Sequence, residues 1–127
     1  MKYLLDTHAF IWMTESPDKL ASGVVEILEN SSNVIYLSYA SIWEMQIKIS
    51  LNKLKLELPL RQLVENETNN FLVLLPLDLE HFWHLDNLEY YHKDPFDRMI
   101  IAQAIVEKIP VITHDEMFEK YRVKTVW

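Results

Sequence analysis

The chain has 127 residues, 50% of them hydrophobic and 24% charged, enough apolar material for one globular domain over residues 1–127 and too little for two. With no cysteine and a single glycine, Gly23, it can build neither disulfides, thiolate metal sites and cysteine nucleophiles nor the multi-glycine loops that cradle nucleotide phosphates. A net charge of −7 excludes a broad basic surface for nucleic acid, and no apolar run approaches the roughly 20 residues of a membrane span.

The first strand reads as Tyr3-Leu4-Leu5, ending in Asp6. That aspartate interrupts the segment before a signal-peptide apolar region develops, so a soluble, cytoplasmic protein without membrane contact is expected. Residues 18–30 have helical character and lead to a second strand, Val34-Ile35-Tyr36-Leu37, ending in Ser38. The helix predicted over 39–51 is apolar at Ile42, Trp43, Met45, Ile47, Ile49 and Leu51, with Glu44 set among them. Around it, residues 39–62 carry Lys48, Lys53, Lys55 and Arg61 against Glu44 and Glu57, a small basic excess that reads as a solvated face or as a phosphate-facing patch.

A helix over 61–70 precedes a third strand, Leu72-Val73-Leu74-Leu75, stopped by Pro76. The helix over 78–90 carries His81, Phe82, Trp83 and His84, read as surface or interface residues. In Asp94-Pro95-Phe96-Asp97, aspartate suits a helix N-cap, proline the first helical position, and Asp97 the first turn, where a carboxylate meets the positive end of the helix dipole. Between Phe96 and Val106 only Asp97, Arg98 and Gln103 are polar, so the helix over 95–108 should be buried. Val111-Ile112 ending in Thr113, a short helical stretch over 115–121 and a last strand over 123–126 complete the chain. Strands alternating with helices in this way predict an α/β fold, a mostly parallel sheet covered on both faces.

The informative feature is where four acids fall. Asp6 ends the first strand, Glu44 lies in the second turn of the helix after the second strand, Asp97 opens the buried helix, and Asp115 lies just beyond the fourth strand. In a parallel sheet these positions share the edge where ligand crevices form. Four carboxylates in one cavity repel one another, and a divalent cation relieves the repulsion. Oxygen donors without thiolates suit Mg²⁺ or Mn²⁺, and such an ion can polarise a phosphate and activate water. Each acid has a second reading. Asp6 can cap a turn, Glu44 and Lys48 can form an i,i+4 surface pair, Asp94 and Asp115 can cap helices, and Asp97 can serve only the helix dipole. His8 and His114 follow the first and fourth strands and fall near the same edge. No zinc-like histidine spacing is present.

Taken together, Leu4-Leu5-Asp6-Thr7-His8, Ser41-Ile42-Trp43-Glu44-Met45 with Lys48, His92-Lys93-Asp94-Pro95-Phe96-Asp97-Arg98 running into Ile101-Ala102-Gln103-Ala104, and Ile112-Thr113-His114-Asp115 resemble the PIN-domain family. The likeness is nearest to VapC-type toxin ribonucleases of toxin-antitoxin modules, and it spans essentially the whole chain. It implies a single PIN-like domain with a five-stranded parallel sheet of order 3-2-1-4-5, a Mg²⁺ or Mn²⁺ site, an RNA substrate and a cognate antitoxin protein. By that resemblance Asp6, Glu44 and Asp97 are the core catalytic and metal-holding acids, with Asp115 as a further ligand. Thr7 and Thr113 resemble the hydroxyl residues that support substrate phosphate or metal-bound water, and Arg98 the arginine that follows the third acid. His92 belongs to the motif without an assigned role. Leu51-Asn52-Lys53-Leu54 departs from relatives that often have glycine before the lysine, which touches loop shape and leaves the acid set complete.

The expected function is therefore a metal-dependent endoribonuclease and toxin, hydrolysing RNA with a metal-activated water. Trp12, Phe82 and Trp83 are the residues expected at a homodimer or antitoxin interface. The competing readings are a PIN-fold binding module with an unused acidic site and a metal-dependent phosphatase. A phosphatase with an aspartyl nucleophile would need a second aspartate two residues after Asp6, where this chain has His8.

Overall fold

The structure is a computed structural model describing residues 1–127. Five strands, β1 (Lys2–Leu5), β2 (Val34–Ser38), β3 (Leu72–Leu75), β4 (Val111–Ile112) and β5 (Thr125–Val126), form one parallel sheet in the order β3-β2-β1-β4-β5. Six helices connect or flank them: α1 (Thr7–Glu15), α2 (Ser22–Glu29), α3 (Tyr39–Ser50), α4 (Leu60–Asn70), α5 (Leu79–Leu85) and α6 (Pro95–Glu107). Short 3₁₀ helices lie at Pro17–Lys19 and Glu116–Lys120.

The central strand shows why the sheet is apolar throughout. Side chains alternate across a strand, so Tyr3 and Leu5 join a core with Phe10, Val24, Leu37, Met45 and Leu63, while Leu4 joins Ile100, Ile101, Ala104, Val111 and Phe118 on the opposite face. Helix α6 supplies much of the second core, which explains its nearly continuous apolar sequence. Its start follows the expected chemistry: Asp94 accepts from the Phe96 and Asp97 N–H groups at 2.8 and 3.0 Å, with Pro95 at the first position.

Helix α1 is an addition to the predicted elements. Ala9 to Met13 are apolar at five consecutive positions, so the segment offers no contrast between faces from which a 3.6-residue period can be read. The helix expected over 18–30 resolves into a 3₁₀ turn and α2. The one expected over 78–90 ends at Leu85, where Asp86 and Asn87 favour a turn, and residues 88–92 form a loop.

Strand register sets the site. Leu5 pairs with Leu37 on one side and with Ile112 on the other. One residue further along, Asp6, Ser38 and Thr113 fall level at the carboxyl edge of the three central strands.

Candidate metal centre

Asp6 leaves β1 and immediately caps α1. Its Oδ1 accepts from the Ala9 N–H at 2.7 Å and its Oδ2 accepts from the Thr113 hydroxyl. The residue is 3% exposed. Burial pushes its carboxyl above the usual aspartate range; the bonds from Thr113 and Ala9 and the nearby His8 oppose this, and Asp115 adds to it. Capping and membership of the acidic edge thus coincide in one side chain.

Glu44 projects from α3, whose own start is fixed by the Ser38 hydroxyl accepting from the Ala40 N–H at 2.9 Å. Its carboxylate is 2% exposed. Lys48 Nζ donates to Glu44 Oε2 at 2.6 Å, so the i,i+4 pair exists, but Glu44 is sealed inside. Glu44 Oε1 is buried with no hydrogen-bond partner. Burial would lower the Lys48 amine, yet the bond and charge of Glu44, with Asp94 and Asp97 nearby, leave it raised above the usual lysine value.

Asp97 sits in the first turn of α6. Burial, then the charges of Asp94, Glu44, Asp6 and Asp115 in that order, push its carboxyl up to about 8. Asp115 caps the 3₁₀ helix through Oδ1, which accepts from the Met117 N–H at 2.9 Å. The structure joins the last two acids through a residue whose role the sequence left open: His92 Nε2 lies 2.8 Å from Asp115 Oδ2 and 3.1 Å from Asp97 Oδ2.

Both threonines singled out from the sequence are buried and hydrogen-bonded. Thr7 donates to Ser41 Oγ at 2.9 Å, and Thr113 Oγ1, besides binding Asp6, accepts from the Asp115 N–H at 3.0 Å. Arg98 departs from its expected substrate-binding position. It is 6% exposed and makes no ion pair with the acids. Its guanidinium donates to the Glu89, Leu88 and His92 carbonyls at 2.7, 3.2 and 3.5 Å and stacks 3.7 Å over the Tyr90 ring. Short reach explains this: the loop before α6 folds back over the residue that follows Asp97.

Other expectations are corrected. His81 is a core residue, 1% exposed; its Nδ1 accepts from the Asp78 N–H at 3.1 Å, closing the start of α5, and its Nε2 lies 3.3 Å from Glu107. Trp12 is half-buried, packing on Trp127 and His114 at centroid distances of 5.5 and 5.8 Å, whereas Phe82 and Trp83 are exposed. His8 and His114 are exposed at the rim. In the basic patch Lys48 is committed to Glu44 and Arg61 to Glu65 at 2.8 Å, which leaves Lys53 and Lys55 exposed outside any ion pair.

The donor set fits a hard divalent cation. Its acids offer only oxygen, Glu44 Oε1 is buried without a hydrogen-bond partner, and Asp97 is pushed up first by burial and then by the charges of four other carboxylates, a repulsion that a cation would relieve. His92 Nε2 and one oxygen each of Asp97 and Asp115 also lie within 4.8 Å of one another. No helix is long and apolar enough to cross a membrane.

The structure is similar to VapBC2 from Rickettsia felis, solved bound to a DNA fragment from its promoter, with a TM-score of 0.76, 16% identity, and 99% of this chain and 98% of that one covered. It is also similar to DNA-bound VapBC from Salmonella typhimurium, with a TM-score of 0.70, 18% identity and 99% and 97% coverage. A third likeness is to FitAcB from Neisseria gonorrhoeae, with a TM-score of 0.67, 20% identity and 98% and 96% coverage. No curated protein matches the sequence. A family model described as PIN domain matches residues 3–124, and with a sheet of order β3-β2-β1-β4-β5 carrying acids along its carboxyl edge, the chain belongs to the PIN domain family.

Proposed function

We propose that this protein is a Mg²⁺- or Mn²⁺-dependent endoribonuclease, the toxin of a toxin-antitoxin pair, with Asp6, Glu44 and Asp97 as its catalytic, metal-holding acids. The observation that carries this reading is the mutual electrostatic coupling of carboxylates delivered by β1, α3 and α6, far apart in sequence, at one sheet edge. Membership of the PIN domain family and the sequence likeness to VapC-type toxins support it. The likeness to chains solved in VapBC complexes supports a protein antitoxin as partner. Exposed Trp43, Phe82 and Trp83 supply apolar surface for that partner or for a second copy.

Bound among these acids, a divalent cation would polarise the scissile phosphate and acidify a water for attack on phosphorus. The protein's own part is preorganisation. Thr113 fixes the rotamer of Asp6, Ser41 accepts the Thr7 hydroxyl hydrogen and holds that side chain in place, and Lys48 offsets the charge of Glu44 while standing near Asp97. Asp115, whose side chain is 36% exposed against 14% for Asp97 and 2% for Glu44, belongs at the margin of the centre.

Purified protein incubated with RNA and Mn²⁺ should cleave it internally, with activity abolished by chelator and by Asp6→Asn. The amide keeps the Ala9 cap and removes a buried charge, so that variant should fold. Cleavage at the wild-type rate by Asp6→Asn refutes the assignment. A folded wild type that binds RNA without cutting it in any divalent metal favours the binding-module reading.

A further inference from the structure

His92 has a hydrogen-bond arrangement that decides which of its nitrogens can act. The Asp94 N–H donates to His92 Nδ1 at 3.2 Å. That occupies the Nδ1 lone pair, so the neutral ring carries its hydrogen on Nε2. A ring with hydrogens on both nitrogens would set Nδ1–H against the Asp94 N–H. Nε2 therefore donates its hydrogen to Asp115 Oδ2 at 2.8 Å, with Asp97 Oδ2 3.1 Å away beside it, and it has no lone pair to offer a cation.

The ring is held in that pose by the loop clamp. Tyr121 Oη accepts from the His92 N–H at 2.8 Å and donates to the Glu89 carbonyl at 2.6 Å. Arg98 grips the same carbonyl and those of Leu88 and His92. Phe118 packs edge-on against the imidazole, with centroids 5.9 Å apart. Two elements far apart in the chain, α6 and the segment after the second 3₁₀ helix, thus converge on one short loop whose product is the position of one N–H.

The consequence differs for the two acids. Asp115 has Oδ1 on the Met117 amide and Oδ2 on His92, so both oxygens are engaged. Asp97 accepts no hydrogen bond, and its Oδ2 lies 3.1 Å from His92 Nε2. On the reading that this edge holds a divalent cation, we propose that His92 is its positioning residue. It stays outside the coordination sphere, and by donating to Asp115 Oδ2 next to Asp97 Oδ2 it holds the two carboxylates in place and leaves Asp97 Oδ1, which has no protein donor, for the cation. Carboxylates that hold metals depend on such partners, and their loss costs about 10–100-fold in affinity.

The test uses Mn²⁺ as probe on the full chain, with affinity measured by paramagnetic resonance titration and ligation by pulsed measurement of nitrogen coupling. Wild type should bind Mn²⁺ without the coupling of a directly bound imidazole. His92→Leu should weaken binding by roughly tenfold or more. His92→Gln, whose amide N–H can replace Nε2–H, should recover most of the loss. Direct nitrogen coupling in wild type overturns the proposal, and so does unchanged affinity in His92→Leu or a His92→Gln as weak as the leucine variant. Should His92→Leu fail to fold, the coupling in wild type and the affinity of His92→Gln still decide. Failure of wild type to bind Mn²⁺ overturns the metal-centre reading along with it, whereas Mn²⁺ binding indifferent to His92 overturns this inference alone.

Discussion

Glu44 is compensated on one oxygen only: Oε2 meets the Lys48 ammonium and Oε1 meets nothing. Lys48→Met would leave the buried carboxylate without its partner, at a cost of about 2 kcal/mol in the metal-free protein. The melting temperature should fall, and the rise produced by Mn²⁺ should exceed that of wild type, because the cation then supplies the missing charge. Equal Mn²⁺ responses in the two proteins would show that Lys48 and the metal site are independent. Asp97 makes a pH-dependent contribution of definite sign. Its carboxyl stands at about 8 against an ordinary 3.8, so between these values the native state holds a proton that the unfolded chain has released. Stability of the metal-free protein should therefore fall as pH rises through that window and level off above it. Mn²⁺ affinity should climb over the same range, since binding must expel the proton. Melting curves against pH, with Asp97→Asn as the control that flattens the slope, check both.

At the scale of elements, the loop of residues 88–92 is the least regular part of the site and the one most dependent on a single side chain. Arg98 is buried on three carbonyl groups and a tyrosine ring. Arg98→Leu should destabilise the fold by about 3 kcal/mol, since it removes charged hydrogen bonds and leaves buried carbonyls without donors. Chemical denaturation reads this directly. A direct phosphate contact would instead leave stability unchanged and weaken RNA binding alone. Helices α1 and α3 begin at side chains that also belong to the carboxyl edge, Asp6 and Ser38. Helix starts and acids are therefore placed together, because the N–H groups and positive dipole end of a helix favour an acceptor there.

Across the whole molecule, the sheet is a rigid frame with a core on each face, and its carboxyl edge is where the charge strain collects. A cation bound only by the native state should raise the melting temperature by on the order of 10 °C at a hundredfold excess over its dissociation constant. Calorimetry with Mn²⁺ and with chelator measures it, and an unchanged transition would show that the acids are not preorganised for metal. The net charge of −7 repels RNA at long range, and only Lys53 and Lys55 of the basic patch remain uncommitted to acids.

By itself the sequence determined the layers and the edge. Apolar runs of strand length alternating with helical stretches admit little but a covered parallel sheet, with Asp6, Asp97 and Asp115 at element boundaries and Glu44 in the second turn of α3, places that follow from local patterning and capping. The α1 helix escaped because a run apolar on every side has no period. Only the tertiary structure decided which neighbour each polar group meets and which is buried: Glu44 sealed inside beneath a half-buried Lys48, Arg98 spent on a loop, His81 in the core, and His92 beside two acids. The Arg98 and His92 contacts join residues 5 to 23 positions apart, and the others turn on which face of a helix is buried. Local pattern fixes the position of a residue along its own element, but the partner of a hydrogen-bond donor is set by three-dimensional packing.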